Sequence, residues 1–240
     1  MPTLILMEFK KLKRSKILYI VTCTMFLFYL CAAAQGIKSG YSANRLLSEM
    51  LAYATYLIVP ALFSLLGSYM LSREYQDDTM KNNRIIPVDT EKMNYAKLIA
   101  CLIIGIIMFI ALFIFTIVSI LFIHADQITL NLFLMFLKIY LLHAIGCFIA
   151  SLPIIVIMSM IKNGCWISVV FAEIYSFAGL VVASSQFRTI YPVNAAFGFS
   201  GANNTTITEF ITCCFSLLLS VVLAWLIIKI EKNIGGSNEK

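Results

Sequence analysis

Charge is what this chain has least of. Charged residues are 12% of its 240 positions, against about 25% in an ordinary soluble domain, while 61% are apolar. Histidine is almost missing: His124 and His143 are too few and too far apart for a ligand cluster. Neither HExxH nor a Walker P-loop occurs, which leaves the chain without the parts that split a peptide or a nucleotide. The seven cysteines, Cys23, Cys31, Cys101, Cys147, Cys165, Cys213 and Cys214, include no Cys-x-x-Cys pair. All fall in or beside apolar runs, where they read as small apolar residues facing lipid or neighbouring helices rather than as disulfides or metal ligands. The chain is therefore expected to hold no cofactor or metal of its own and to bind no nucleic acid.

What it has instead is length of apolar sequence. About 20 apolar residues, rising 1.5 Å each, cross the roughly 30 Å hydrocarbon core as a helix. Six runs meet that test, at residues 17–34, 51–71, 98–123, 139–161, 165–184 and 210–230. They are continuously apolar and lack period-2 alternation, so helices are expected rather than a barrel. The expected fold is an all-α membrane protein, with residues 1–240 forming one transmembrane domain and no room left for a soluble one.

Positive charge sets the orientation. Fourteen of the 18 basic residues fall on one side: before span one, between spans two and three, at Lys162 and after span six. Lys38, Arg45, Lys138 and Arg188 take the other side. Both termini are thus expected in the cytoplasm. The basic start, the apolar run and Ala32-Ala33-Ala34 also have the form of a signal peptide. Cleavage there would leave five spans and split the termini across the membrane, so the segment is read as a retained first span. Within residues 1–16, Ile5, Phe9 and Leu12 recur at i, i+4 and i+7 while Lys10, Lys13 and Arg14 point elsewhere. That pattern predicts an interfacial helix on the acidic inner leaflet, compatible with a plain orientation signal.

Residues 73–97 form the only long charged connection on the basic side, with five cations and five anions (Glu74, Asp77, Asp78, Asp89, Glu91). A segment meant only for anionic lipid would be one-sidedly basic. Mixed signs fit a protein partner, because both signs specify register and exclude wrong partners; a solvated connector is the plain alternative. Asp77, Asp78 or Thr79 can cap a short helix through residues 80–84, broken before Pro87, and Asp89 or Thr90 can cap the helix into span three.

Arg73-Glu74-Tyr75 at the end of span two, Thr79 five residues after the glutamate, Pro87-Val88 and Lys97 at the start of span three resemble the permease subunits of ABC-2 type exporters. Within that family the chain is most similar to the small permeases of lantibiotic-immunity and bacitracin-type exporters. The length, the six spans and the cytoplasmic termini agree along the whole chain; Asp78 stands where the family usually has glycine, which alters the local turn. The resemblance implies that residues 73–97 hold a coupling helix seated on a separate ATPase. Arg73, Glu74, Asp77, Asp78, Thr79, Met80, Lys81 and Arg84 would then transmit motion. It also implies an ABC ATPase dimer carrying ATP and Mg, and a second permease of the same or a related chain.

Inside the spans the costliest residue is Glu173, about midway through 165–184, where an ionised carboxylate costs roughly 2.5–3.5 kcal/mol. Counted from the turn at Lys162, it lies about 16 Å deep, His143 about 28 Å and Lys138 about 36 Å, so neither cation matches it. Ser151 does, which points to a hydrogen-bonded or protonated carboxyl, either structural or part of a pathway or subunit interface. Lys138 is expected to snorkel to the outer surface, Pro153 to kink span four, and Tyr19 and Trp166 to sit in interfacial belts. The longest outer connection, residues 186–208, is too apolar for a free loop. With Tyr191, Pro192, Phe197 and Phe199 it is expected to form a re-entrant or interfacial element that caps the outer face.

Together these features lead to a multi-pass protein of the bacterial plasma membrane. Its expected role is the permease subunit of an ATP-driven exporter for an antimicrobial peptide or hydrophobic antibiotic, working among membrane lipids. The alternative is a non-transporting sensor or immunity protein that binds the peptide or its lipid target. An intramembrane enzyme built on Glu173 would lack a second acid, a nucleophile and a metal cluster.

Overall fold

In the computed structural model, residues 2–13, 15–76, 90–123, 125–161 and 164–237 are described. Nine α-helices lie among them: α1 (Pro2–Lys13), α2 (Lys16–Lys38), α3 (Ala43–Leu57), α4 (Val59–Gln76), α5 (Thr90–Ile123), α6 (Leu130–Ser159), α7 (Gly164–Val182), α8 (Pro192–Ser200) and α9 (Ile207–Ser237). Five of them, α2, α5, α6, α7 and α9, are long and apolar enough to cross a membrane singly. The pair α3 and α4, bent by 48° at its break, meets the same test when its two helices are taken together.

That break corrects the expectation of one uninterrupted helix over residues 51–71. Ile58 sits at φ −140° and ψ −43°, outside the helical region. Two residues on, Pro60 has no N–H to offer the carbonyl of Tyr56, and its ring also disfavours a helical Val59. Span four carries the proline expected to kink a helix. There α6 continues through Pro153 to Ser159 as one helix.

The helices also outrun the apolar runs that announced them. α5 begins at Thr90 rather than near residue 98, and its 34 residues span about 51 Å, more than the hydrocarbon core needs. α6 begins at Leu130, where Thr129 caps it by accepting from the Leu132 amide at 3.3 Å. α9 starts in a reciprocal cap. Glu209 N–H donates to Thr206 Oγ1, and the Glu209 carboxylate accepts from Thr206 N–H at 2.9 Å.

α4 is the axis of the bundle, packing on α5, α6 and α7, while α8 lies between α6 and α9. Close approach depends on missing side chains. A Cβ on Gly105 of α5 would fall 2.0 Å from the Phe63 ring of α4, and one on Gly67 would fall 2.7 Å from Ile155 of α6. At the start of the chain, α1 packs on α5 and buries Leu12, with Ile5 and Phe9 against the same core. Lys10 and Lys13 are exposed, and so are Leu6 and Met7.

Candidate functional site

The α7 helix is built to pack closely on one side. Gly164, Ser168, Ala172 and Ser176 recur every four residues and are all buried, as small-xxx-small stripes are in membrane helices. Ser68 of α4 donates to Ser168 Oγ at 3.1 Å, and Ser176 donates to the Thr55 carbonyl at 3.2 Å. Glu173 follows Ala172 by one residue, about 100° round the helix, which turns it off the packed stripe and onto its edge. There it is half-buried.

At that edge the structure opens a groove of about 310 Å³. Ile20 and Thr24 of α2 form one wall, Val169, Val170 and Trp166 of α7 another, and Ala61, Leu62 and Leu65 of α4, with Ile58 at the break, the floor. Glu173 is the one ionisable residue lining it. Its carboxylate makes no hydrogen bond or ion pair with any described residue. The expected match with Ser151 does not form: Ser151 Oγ donates to its own helix, at the Cys147 carbonyl, 2.9 Å away. Trp166 and Val170 are 57% and 58% exposed, so the groove opens sideways, out of the bundle. A second groove of about 280 Å³ between α2 and α5, around Met25, Tyr29 and Phe115, has no carboxylate, histidine, lysine or arginine among its described lining residues.

The other polar constellation lies in the core. His143 of α6 is fully buried, with Nε2 2.7 Å from Thr55 Oγ1 and Nδ1 3.2 Å from the Ala196 carbonyl and 3.1 Å from Ser200 Oγ. Either neutral tautomer is satisfied on both sides, because a hydroxyl can donate or accept. The rings of Phe197 and Phe109 lie against the imidazole, with centroids 4.5 and 5.9 Å away. Beside it, Tyr56 donates to Asn194 Oδ1 at 2.7 Å and Asn194 donates to the Gly179 carbonyl at 2.8 Å. Four helices, α3, α6, α7 and α8, meet around these bonds.

The region expected to cap the outer face is thus tied into the bundle. Pro192 opens α8 at its first turn, where the missing N–H costs nothing. Gly201 closes it at φ 76°, a conformation that favours glycine. Phe197 is buried and stacks on Tyr56 at 5.3 Å, Phe199 is half-buried, and Tyr191 donates to the Tyr175 carbonyl at 2.6 Å. The approach to α8 is open, with Phe187 and Ile190 exposed, and so is the stretch after it, where Asn203, Asn204 and Thr206 are exposed. Arg188 there pairs with Glu209 at 2.8 Å.

Of the residues expected to couple to a partner, Asp77, Asp78, Thr79, Met80, Lys81 and Arg84 lie outside the described residues, and Glu74 is described only as part of α4. Arg73 is placed at the end of α4. Its Nη1 donates to the Lys11 carbonyl at 3.3 Å and its guanidinium lies 5.7 Å from the Tyr69 ring. A cation at the last turn of α1 is favourable to that helix's dipole, so Arg73 ties the N-terminal helix to the end of α4. Lys97, expected at the entry to span three, is buried in α5.

His143 was passed over in the sequence because one histidine does not make a ligand cluster. Its signal was its place in a helix otherwise apolar at that level. The stripe on α7 was legible as a four-residue repeat of small residues and went unread. No curated protein and no solved structure matches the chain. Residues 4–179 match the family described as ABC-2 family transporter protein. Five to six candidate spans and the family match agree: the chain belongs to the ABC-2 transporter family, as a multi-pass plasma-membrane permease of a kind that works with an ABC ATPase partner.

Proposed function

We propose that the chain is the transmembrane subunit of a bacterial exporter that removes an amphipathic antimicrobial peptide or hydrophobic antibiotic from the membrane, and so confers immunity or resistance. The observation that carries this reading is the groove between α2, α4 and α7, which opens sideways rather than into an enclosed aqueous chamber. A solute taken from water would need a polar vestibule; one already dissolved in the bilayer can enter between helices. The floor of the groove is the broken span itself, so a change of bend at Ile58 would alter its width.

On this reading both termini are cytoplasmic, and two permeases stand on an ABC ATPase dimer that carries the ATP and Mg. Residues 73–97 are the docking segment, with Glu74, Asp77, Asp78, Thr79, Met80, Lys81 and Arg84 facing the ATPase. Support comes from their mixed charge and from Arg73, which joins α4 to α1 and would let the two move together. Tyr191, Pro192, Phe197 and Phe199 close the outer side through α8.

The test is reconstitution with the co-expressed ATPase in proteoliposomes. ATP-dependent loss of a membrane-dissolved peptide or antibiotic is expected, and Glu74→Lys or Met80→Asp should uncouple it while insertion persists. ATPase activity and substrate movement that ignore both changes would sink the coupling assignment. Substrate binding with no ATP-dependent movement would favour the sensor reading.

A further inference from the structure

We infer that the α2–α4–α7 groove is a binding site for the ammonium group of a cationic amphiphile, with Glu173 as the residue that recognises the charge. The inference rests on the transport reading above and narrows its substrate class. Three observations converge on it.

The first is the state of the carboxyl. Most polar groups inside the bundle are satisfied by neighbours, as Thr55 is by His143 and Ser68 by Ser168, and the Ser64 hydroxyl is the buried exception. Glu173 makes no such bond with any described residue, although a carboxylate in hydrocarbon is costly without a partner. A cation entering the groove supplies that partner and offsets the desolvation of both charges.

Shape is the second. The groove holds about 310 Å³, near the lower end of the roughly 300–1,000 Å³ of small-molecule sites. That space suits one apolar chain or one side chain with its charged head, and is small for a two-chain phospholipid. Apart from Thr24, its walls offer aliphatic and indole surface, and Thr24 already donates to the Ile20 carbonyl at 2.8 Å. The walls therefore favour an apolar body and leave Glu173 as the polar anchor.

The third is depth. Glu173 lies nine residues along α7 from Gly164, about 14 Å, and Thr24 eight residues along α2 from Lys16, about 12 Å. Both helices begin on the same side of the bundle. Trp166, two residues into α7 and exposed, stands at the mouth on that side, where its face can receive a cation before the carboxylate does. On the charge-based orientation this mouth opens into the inner leaflet, where amphiphilic cations accumulate on anionic lipid.

The experiment uses the full-length permease with its ATPase in nanodiscs. A Trp225→Phe background leaves Trp166 as the single indole of the permease, and its complex with a tryptophan-free ATPase, in discs with a tryptophan-free scaffold protein, is titrated with dodecyltrimethylammonium. Saturable change in Trp166 emission is expected, weakened at least tenfold by Glu173→Gln and largely restored by Glu173→Asp. A nonionic dodecyl glycoside of the same chain should bind at least tenfold more weakly. Ala61→Leu, which narrows the floor and spares the carboxyl, should weaken both ligands alike. Equal affinity for the two ligands, or an unchanged response in Glu173→Gln, overturns the assignment. So does loss of the response when phosphatidylethanolamine replaces phosphatidylglycerol in the disc, because the ammonium would then belong to a resident lipid. Export measured in parallel separates the two levels. Binding of the expected kind without ATP-driven export removes the transport reading and keeps the site. Export of the ammonium compound undiminished in Glu173→Gln removes the site and keeps the transport reading.

Discussion

His143 and Glu173 are both ionisable side chains within the apolar bundle, and their surroundings could hardly differ more. His143 is fully buried, has hydrogen-bonding atoms of α3 and α8 on both ring nitrogens and is flanked by two phenyl rings. Glu173 is half-buried, lines an open groove and has no polar partner among the described residues. Burial with full satisfaction marks a residue whose work is to hold helices together, since removing it leaves orphaned groups that cannot reach water. Partial exposure without satisfaction marks one whose partner comes from elsewhere. The contrast separates scaffold from site more sharply than either residue type does alone.

Four substitutions probe that contrast. His143→Ala should have the largest effect, about 2–3 kcal/mol lost, because it opens a cavity and removes the bonds that join α6 to Thr55 and Ser200. Unfolding in a detergent–denaturant titration reads this directly; a change under 0.5 kcal/mol would mean that the node is wet and that burial was misjudged. Ala172→Leu comes next, at about 2 kcal/mol, since Ala172 is wholly buried on the α7 stripe and added methyls must push α7 off α4. The same titration, run beside Val170→Leu on the open side, should show that neighbour near neutral.

Tyr56→Phe should cost about 0.6 kcal/mol, the average for a hydrogen bond between membrane helices, and should loosen α8. Faster cysteine labelling at residue 199 in a thiol-free background would show that loosening; unaltered labelling would detach α8 from the Tyr56–Asn194 bond. The smallest effect belongs to Glu173→Gln, within about 0.5 kcal/mol, because no described partner is lost. Destabilisation on the scale of His143→Ala would move Glu173 from site to scaffold and erase the comparison.

The family loop shows where reading along the chain stops. Arg73 was taken for a coupling residue from its neighbours in sequence, and the structure gives it an intramolecular bond to the Lys11 carbonyl, 62 residues away. A contact of that kind leaves no local trace, since neither a terminal carbonyl of α1 nor the guanidinium advertises the other. The Ser151 match for Glu173 failed for a related reason. Equal depth is a one-dimensional statement, and Ser151 spends its proton on its own helix.

What the sequence determined by itself is the part that follows from solvent. Long apolar runs must cross the bilayer, and their backbone must close its hydrogen bonds internally, so all-helical spans were dictated before any contact was known. Pro192 at the head of α8 and Gly201 at its end were likewise local instructions, written in the one missing N–H and the one missing Cβ that those positions require. Tertiary structure decided the rest. Lipid tails and core side chains are equally apolar, so hydrophobicity could not say which face of α7 would pack. Small residues meeting small residues made that choice, and one consequence is that Ala172 is sealed while Glu173, its neighbour, is left facing a groove.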